Sequence, residues 1–71
     1  MMVGKVAEIV AGAILAKEDG GPGALHYFVA GPGPTRAFVV REVNGLYGFE
    51  LILLTREGRQ VYCNLSNVRA L

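Results

Sequence analysis

The chain has few of the residues on which enzyme chemistry and metal binding usually depend. Cys63 is the one cysteine and His26 the one histidine among 71 residues. A single cysteine excludes an intramolecular disulfide and a cysteine-based zinc site, and a single histidine provides no histidine cluster for a metal. We therefore predict no catalytic residues, no metal and no cofactor. The unpaired cysteine fits a reducing, cytoplasmic compartment.

Charge is sparse as well. Only 18% of the residues are charged, and seven basic residues against six acidic ones give a net charge of +1. This balance predicts no strong attraction to nucleic acid or to an anionic membrane.

No apolar run is long enough for a membrane span. The run VAEIVAGAILA, residues 6–16, superficially resembles the apolar part of a signal peptide, but Glu8 interrupts it. It is also shorter than the roughly 20 residues that a membrane-spanning helix requires. We expect this run to belong to the folded domain.

Apolar residues, in contrast, are abundant. They make up 52% of the chain, which has room for a single domain spanning residues 1–71. A domain of this size buries only a modest fraction of its surface, so part of this apolar content stays exposed. The composition therefore predicts self-association into a homo-oligomer.

Residues 3–17 carry an amphipathic helical pattern. Lys17 and Gly20-Gly21 would end such a helix, whereas Gly4 and Gly12 each cost it about 1 kcal/mol relative to alanine. We predict an N-terminal helix, with a first strand over residues 3–10 as the alternative. The residues that share the apolar side of this helix are Val6, Ile9, Val10, Ala13 and Ile14.

From residue 24 onward the pattern is that of β-strands separated by turns. Asn44-Gly45 lies between two apolar runs and predicts a two-residue type I′ hairpin turn. The paired residues in that register are Val43 with Leu46, Val40 with Phe49, and Phe38 with Leu51.

A second hairpin is predicted to turn at Arg56-Glu57-Gly58, with Gly58 in the left-handed position and Thr55 opposite Arg59. One face of the resulting sheet is then the core, and the other face still carries Val39, Ile52, Leu54 and Tyr62. That second face must be covered by the helix, by another subunit or by a curled continuation of the sheet. The predicted core face consists of Phe38, Val40, Phe49, Leu51, Leu53, Val61, Cys63 and Leu65.

Gly-Pro-Gly occurs twice, at residues 21–23 and 31–33. Each copy precedes a β-type run, and neither opens a helix or is followed by Lys-Ser or Lys-Thr, as a phosphate-binding loop requires. We interpret both copies as turns in front of strands.

One set of residues could recognise a partner. Aromatic rings beside arginines suit protein hot spots or stacking on nucleic-acid bases. The sequence therefore favours a non-catalytic module that forms a homo-oligomer and binds a protein, with a small RNA- or DNA-binding protein as the alternative. The candidate interaction residues are Arg36, Arg41, Arg56, Arg59, Arg69, Tyr27, Tyr47 and Tyr62.

The C-terminal stretch QVYCNLSNVRAL, residues 60–71, reads as a strand, a tight 3₁₀-type turn and a short strand. In outline it resembles the end of small SH3-like and Sm-like barrels, with NVRAL in the place of the second Sm motif. That resemblance covers about a dozen residues, and the first Sm motif has no counterpart here. For the Sm family it would imply ring formation and binding of uridine-rich RNA. The predicted fold is mainly β: an antiparallel meander that curls into an SH3-like or Sm-like barrel behind an N-terminal helix.

Overall fold

The computed structural model describes residues 2–71, in which seven strands form one antiparallel sheet. The spatial order of the strands is β3-β2-β6-β5-β4-β1-β7, and a 3₁₀ turn at Leu65–Asn67 precedes the last strand. The predicted mainly β, antiparallel fold is thus confirmed. The strands are β1 (Val6–Ile9), β2 (Ile14–Glu18), β3 (Leu25–Val29), β4 (Thr35–Leu46), β5 (Phe49–Leu54), β6 (Gln60–Cys63) and β7 (Val68–Ala70).

The predicted N-terminal helix is wrong, because residues 3–17 contribute β1 and β2 instead. Both glycines of this region have left-handed backbone angles, which a helix interior does not contain. Ala7 and Ile9, two residues apart, point into the core, as alternation along a strand requires. Within residues 2–71 no helix has the length and apolar character that crossing a membrane would need.

Residues 10–13 join two strands that lie far apart in the order of the sheet. β1 pairs with β4 and β7, whereas β2 pairs with β3 and β6. The Val10 N–H donates to the Asn67 carbonyl (3.0 Å), and the Gly12 N–H donates to the Ala30 carbonyl (2.8 Å). The linking segment therefore brings the β7 end and the β3 end of the sheet near each other, and the sheet is rolled.

The predicted curling into an SH3-like or Sm-like barrel does not reach closure. Among residues 2–71, no strand pairing joins β3 to β7, so the rolled sheet stays open and has two edges. Closure would require a ladder between these two strands.

The first predicted hairpin turn lies three residues too early. The chain reverses at Tyr47-Gly48, where Leu46 pairs with Phe49 and both turn residues have positive φ, +56° and +83°. Two positive φ values are the signature of the type I′ turn, so the turn chemistry was predicted correctly at the wrong place. Asn44-Gly45 lies instead in an irregularity of β4, between Glu42 and Leu46.

The irregularity between Val39 and Arg41 exchanges the faces of β4, because moving the turn by three residues still leaves even-numbered β4 residues opposite odd-numbered β5 residues. Val39 is fully buried beside Leu53, whereas Phe38 and Val40, both predicted to be in the core, are exposed. The register of a strand is determined by which of its faces is buried. Val39, which is smaller than Phe38, fits among the tightly packed residues of the interior.

The second hairpin is confirmed in register and loop length. The Thr55 N–H donates to the Arg59 carbonyl (2.8 Å), Leu53 pairs with Val61, and Leu51 pairs with Cys63. These last four residues belong to the main core, as predicted. Phe49 is buried on the opposite face, and Leu65 is exposed.

Replacing Gly58 tests the loop of this hairpin. Gly58 has φ +81°, and a Cβ built there meets nothing within 4 Å, so Gly58→Ala introduces backbone strain without a steric clash. We expect a loss of about 1–2 kcal/mol in the free energy of unfolding, measured by urea denaturation. Gly33 is the matched control, because it lies outside the left-handed region and has equally open surroundings. Gly33→Ala should be neutral or stabilising by about 0.4–1 kcal/mol, and equal losses in both variants would contradict this account.

Candidate interaction surface

The structure separates the eight predicted interaction residues into a convergent set and a dispersed set. The three tyrosines come together on one face of the sheet, around Phe49. The five arginines spread over several regions of the surface, and only Arg41 lies in a row with the tyrosines.

Strand register explains why the tyrosines meet. Tyr27 on β3 lies opposite Ala16 on β2, and Ala16 lies opposite Tyr62 on β6. Tyr62 pairs with Ile52 on β5, which pairs with Arg41 on β4. One row of side chains therefore crosses five strands, and the small Ala16, between Tyr27 and Tyr62, leaves room for the ring on either side of it.

The sheet curls tightly around this row. The rings of Tyr27 and Phe49 are 6.2 Å apart, although three strand spacings, about 14 Å in a flat sheet, separate β3 from β5. The Tyr62 ring lies 6.3 Å from Phe49 and 5.5 Å from Tyr47, which it meets edge to face. Tilted and edge-to-face pairs at these distances add stability beyond the burial of area. The cluster thereby buries Phe49, Ile52 and Ala16 on the second face of the sheet.

Glu18 ties this cluster to the first Gly-Pro-Gly turn. The Tyr62 hydroxyl donates to Glu18 Oε1 (3.1 Å), and the Gly23 N–H donates to Glu18 Oε2 (3.3 Å). Burial raises the pKa of Tyr62 above its usual 10.0, and the hydrogen bond and negative charge of Glu18 raise it further, whereas Arg41 lowers it.

The arginines outside the tyrosine row lie among acidic and apolar neighbours. Arg36 and Arg69 flank Glu8 across β4, β1 and β7. Arg59 lines a 320 Å³ depression of mixed charge that also contains Lys17 and Glu18. They do not form a dense basic patch.

Arg36 and Arg56 do share one surface, an outward groove of 740 Å³. Its floor is a row of cross-strand neighbours, in which Val6 pairs with Phe38 and Phe38 pairs with Leu54. These three side chains are 49%, 41% and 39% exposed, so an apolar strip lies open to water between two arginines. We call these five residues the arginine-flanked groove.

Sequence reasoning missed the groove because it assigned Phe38 to the core. The alternation of β4 gave a usable signal, since Phe38 and Val39 cannot both face inward. Choosing between them required the irregularity between Val39 and Arg41, which the sequence analysis did not predict.

Cys63 and His26 are the two side chains that could act as a nucleophile and a base, and both occupy structural positions. Cys63 is fully buried, and burial raises the pKa of its thiol from 9.0 to about 11. The thiol is therefore protonated at neutral pH and is a poor nucleophile. His26 is exposed on β3, opposite Lys17. Within the described part of the chain, no three His, Cys, Asp or Glu side chains are grouped so that they could hold a metal.

No protein-family model, no curated protein and no solved structure matches this chain. The tyrosine cluster and the arginine-flanked groove are therefore defined by their own geometry.

The hydrogen bond between Tyr62 and Glu18 can be tested by alkaline unfolding. The folded chain holds the Tyr62 proton to a higher pH than the unfolded chain, so this stabilisation is complete below pH 10.0 and is lost as pH rises through the raised pKa. Cys63 adds a loss of the same sign between about pH 9 and 11. Tyr62→Phe should cost about 1 kcal/mol at neutral pH and show a shallower alkaline decline in the free energy of unfolding.

Tyr47→Phe is the control, because it removes a hydroxyl from an exposed ring of the same cluster. Its neutral-pH stability should stay within about 0.5 kcal/mol of the parent. Identical alkaline slopes for the parent and Tyr62→Phe would show that the Tyr62 proton is not linked to folding.

Proposed function

We propose that this chain is a non-catalytic interaction module of the cytoplasm that forms a homo-oligomer and binds a protein partner. The observation that carries the proposal is the pair of separate apolar patches on its outer surface. One patch is the arginine-flanked groove, over β1, β4 and β5. The other, the β3-edge patch, consists of Ile14, Tyr27 and Val29.

The amount of exposed apolar surface supports self-association. Among residues 2–71, twelve large hydrophobic side chains are at least 37% exposed, in a chain that is 52% hydrophobic. Single exposed apolar residues are ordinary, but contiguous ones mark interaction sites. Two patches on different strands allow one surface to join copies while the other binds a different protein.

The groove favours a protein segment with both apolar and acidic side chains. Val6, Phe38 and Leu54 offer apolar contact, and Arg36 and Arg56 stand beside them. Arginine binds carboxylates through two parallel hydrogen bonds, which adds geometric specificity to the apolar contact.

The state of Cys63 supports the cytoplasmic assignment and the absence of catalysis. A buried, protonated thiol is stable in a reducing compartment, and it is unsuited to nucleophilic attack. His26, on the exposed strand β3, faces Lys17 across the ladder and has no orienting carboxylate opposite it there.

One observation favours the alternative, a protein that binds RNA or DNA. The Tyr27 and Tyr47 rings are exposed on the same curled face, and Arg41 lies in the row that contains Tyr27. Exposed rings near a cation suit stacking on single-stranded bases. The dispersion of the other arginines makes this the second candidate.

Light scattering after gel filtration tests self-association. Over a concentration series, the measured mass should be a multiple of the chain mass at high concentration and should fall on dilution. A chain that stays monomeric across the series would remove the homo-oligomer from the proposal.

Capture from cell extract, using the tagged chain as bait, tests the partner. We expect a retained protein that survives nuclease treatment and that the double variant Arg36→Gln, Arg56→Gln no longer binds. The matched control is Lys5→Gln with Arg59→Gln, which removes the same charge outside the groove and should retain the partner. Retained RNA or DNA, released by nuclease and by raised salt, would instead establish the alternative, since phosphate contacts weaken with salt.

A further inference from the structure

Residues 21–33 form a near palindrome centred on Tyr27. Reading outward from Tyr27, Leu25 mirrors Val29, and the same residue types then recur on both sides. His26 and Phe28 are the one pair of unlike character. The identical pairs are Ala24 with Ala30, Gly23 with Gly31, Pro22 with Pro32, and Gly21 with Gly33.

The centre of the palindrome is β3, an edge strand. It pairs with β2 on one side, and no strand of residues 2–71 pairs with its other side. Natural proteins protect such edges with lysine, proline, a bulge or extreme shortness. The five residues of β3, Leu-His-Tyr-Phe-Val, contain no lysine, arginine, carboxylate or proline.

Hydrogen bonds at both ends of β3 determine which of its backbone groups are free. The Asp19 N–H donates to the Ala24 carbonyl, and the Ala30 N–H donates to the Ala13 carbonyl, each at 2.8 Å. Because bonded residues alternate along an antiparallel ladder, the even-numbered residues from 24 to 30 face β2. The N–H and C=O groups of Leu25, Tyr27 and Val29 therefore point away from the sheet.

The side chains of these three residues share the outer face, where Leu25 is half-buried against the cluster of Phe49 and Tyr62 and the other two are exposed. Tyr27 is 58% exposed and Val29 is 65% exposed, and Ile14, the cross-strand partner of Val29, is 57% exposed. The free edge thus combines unpaired backbone groups with an uncharged apolar surface.

We propose that β3 pairs with β3 of a second copy of this chain, antiparallel, about a two-fold axis at Tyr27. This deepens the proposed function, on which it rests, by assigning the surface through which copies join. In this register Tyr27 faces Tyr27 of the second copy, and Leu25 faces Val29 of the second copy. Each of these residues points its free N–H and C=O at its counterpart in the second copy. The new ladder therefore keeps the alternation of hydrogen-bonded and non-hydrogen-bonded pairs that antiparallel strands require.

The palindrome is the reason for proposing that the strand paired with the free side of β3 is β3 of a second copy. Under this two-fold axis Pro22 comes opposite Pro32 of the second copy, so Gly-Pro-Gly ends the ladder at the same place on both chains. Apolar residues face apolar residues throughout the outer face, and no like charges meet. The tyrosine rows of the two copies then run into one another through Tyr27.

The other edge does not compete for this role. β7 has only three residues, Val68–Ala70, and its central residue is Arg69. Shortness and charge are two of the devices that block edge pairing. With one edge blocked, pairing through β3 stops at two chains.

Disulfide trapping tests the register. Residues that form a hydrogen-bonded pair across an antiparallel ladder have Cα atoms about 5.5 Å apart, within disulfide reach. Tyr27→Cys should therefore oxidise to a covalent dimer that keeps the circular dichroism spectrum of the parent. His26→Cys is the matched control, since His26 is exposed on the same strand but lies diagonal to its own counterpart at about 7–8 Å. We expect Tyr27→Cys to cross-link at least about tenfold faster than His26→Cys.

A second pair of variants keeps Tyr27 in place. Val29→Cys alone should not cross-link, but mixing it with Leu25→Cys should give a covalent heterodimer, because these two positions face each other only in this register. Cys63 does not interfere, since its thiol is buried.

The outcomes separate this inference from the proposed function. A parent chain that is monomeric by light scattering overturns both self-association and the β3 pairing. A parent oligomer in which neither Tyr27→Cys nor the Leu25→Cys and Val29→Cys mixture cross-links overturns the β3 pairing alone. An oligomer with cross-linking at Tyr27 and in the mixture, and not at His26, supports it.

Discussion

The structure depends on the need to bury both faces of the β5–β6 hairpin. Leu51, Leu53 and Val61 project to one side of this ribbon, while Ile52 and Tyr62 project to the other. A flat sheet with one wet face cannot accommodate such a ribbon. The remaining strands must therefore approach it from both sides, and a 71-residue chain can do so only by rolling its sheet.

The segment at residues 10–13 makes this rolling possible. This segment places β1 near one end of the sheet and β2 near the other. The main core therefore covers one face of the β5–β6 hairpin, and the tyrosine cluster covers the other face. The second face of this ribbon, predicted to be covered by a helix, by another subunit or by a curled continuation of the sheet, is thus covered by the curled sheet itself. The proposed self-association therefore rests on the apolar side chains that remain outside after rolling: the β3-edge patch and the arginine-flanked groove.

Sequence reasoning succeeded where short-range chemistry dominates and failed where distant pairings decide. Gly58 could be assigned because a three-residue hairpin needs a left-handed residue at that position. Asn44-Gly45 satisfied the local rule for a turn, yet the chain turns at Tyr47-Gly48, and a further irregularity between Val39 and Arg41 brings Val39 into the core. The amphipathic helical pattern over residues 3–17 misled in the same way. It placed Val6 and Ile14 on the buried side of a helix, but both side chains are exposed on paired strands. The tyrosines could be named as a set, whereas their convergence required the register through Ala16.

A rolled sheet that does not close has two edges, and the two edges of this chain differ in kind. β7 is short and carries Arg69, whereas β3 has no lysine, arginine or carboxylate and is bounded by matching Gly-Pro-Gly turns. An open edge on both sides would permit endless addition of strands, and two blocked edges would leave a monomer. The proposed closed pair requires one blocked edge and one palindromic edge, and this chain has both. In such a pair the arginine-flanked grooves, which lie on β1, β4 and β5, stay outside the joined strands. The pair would then present two equivalent grooves, and a partner with two acidic segments could bind both at once and gain avidity.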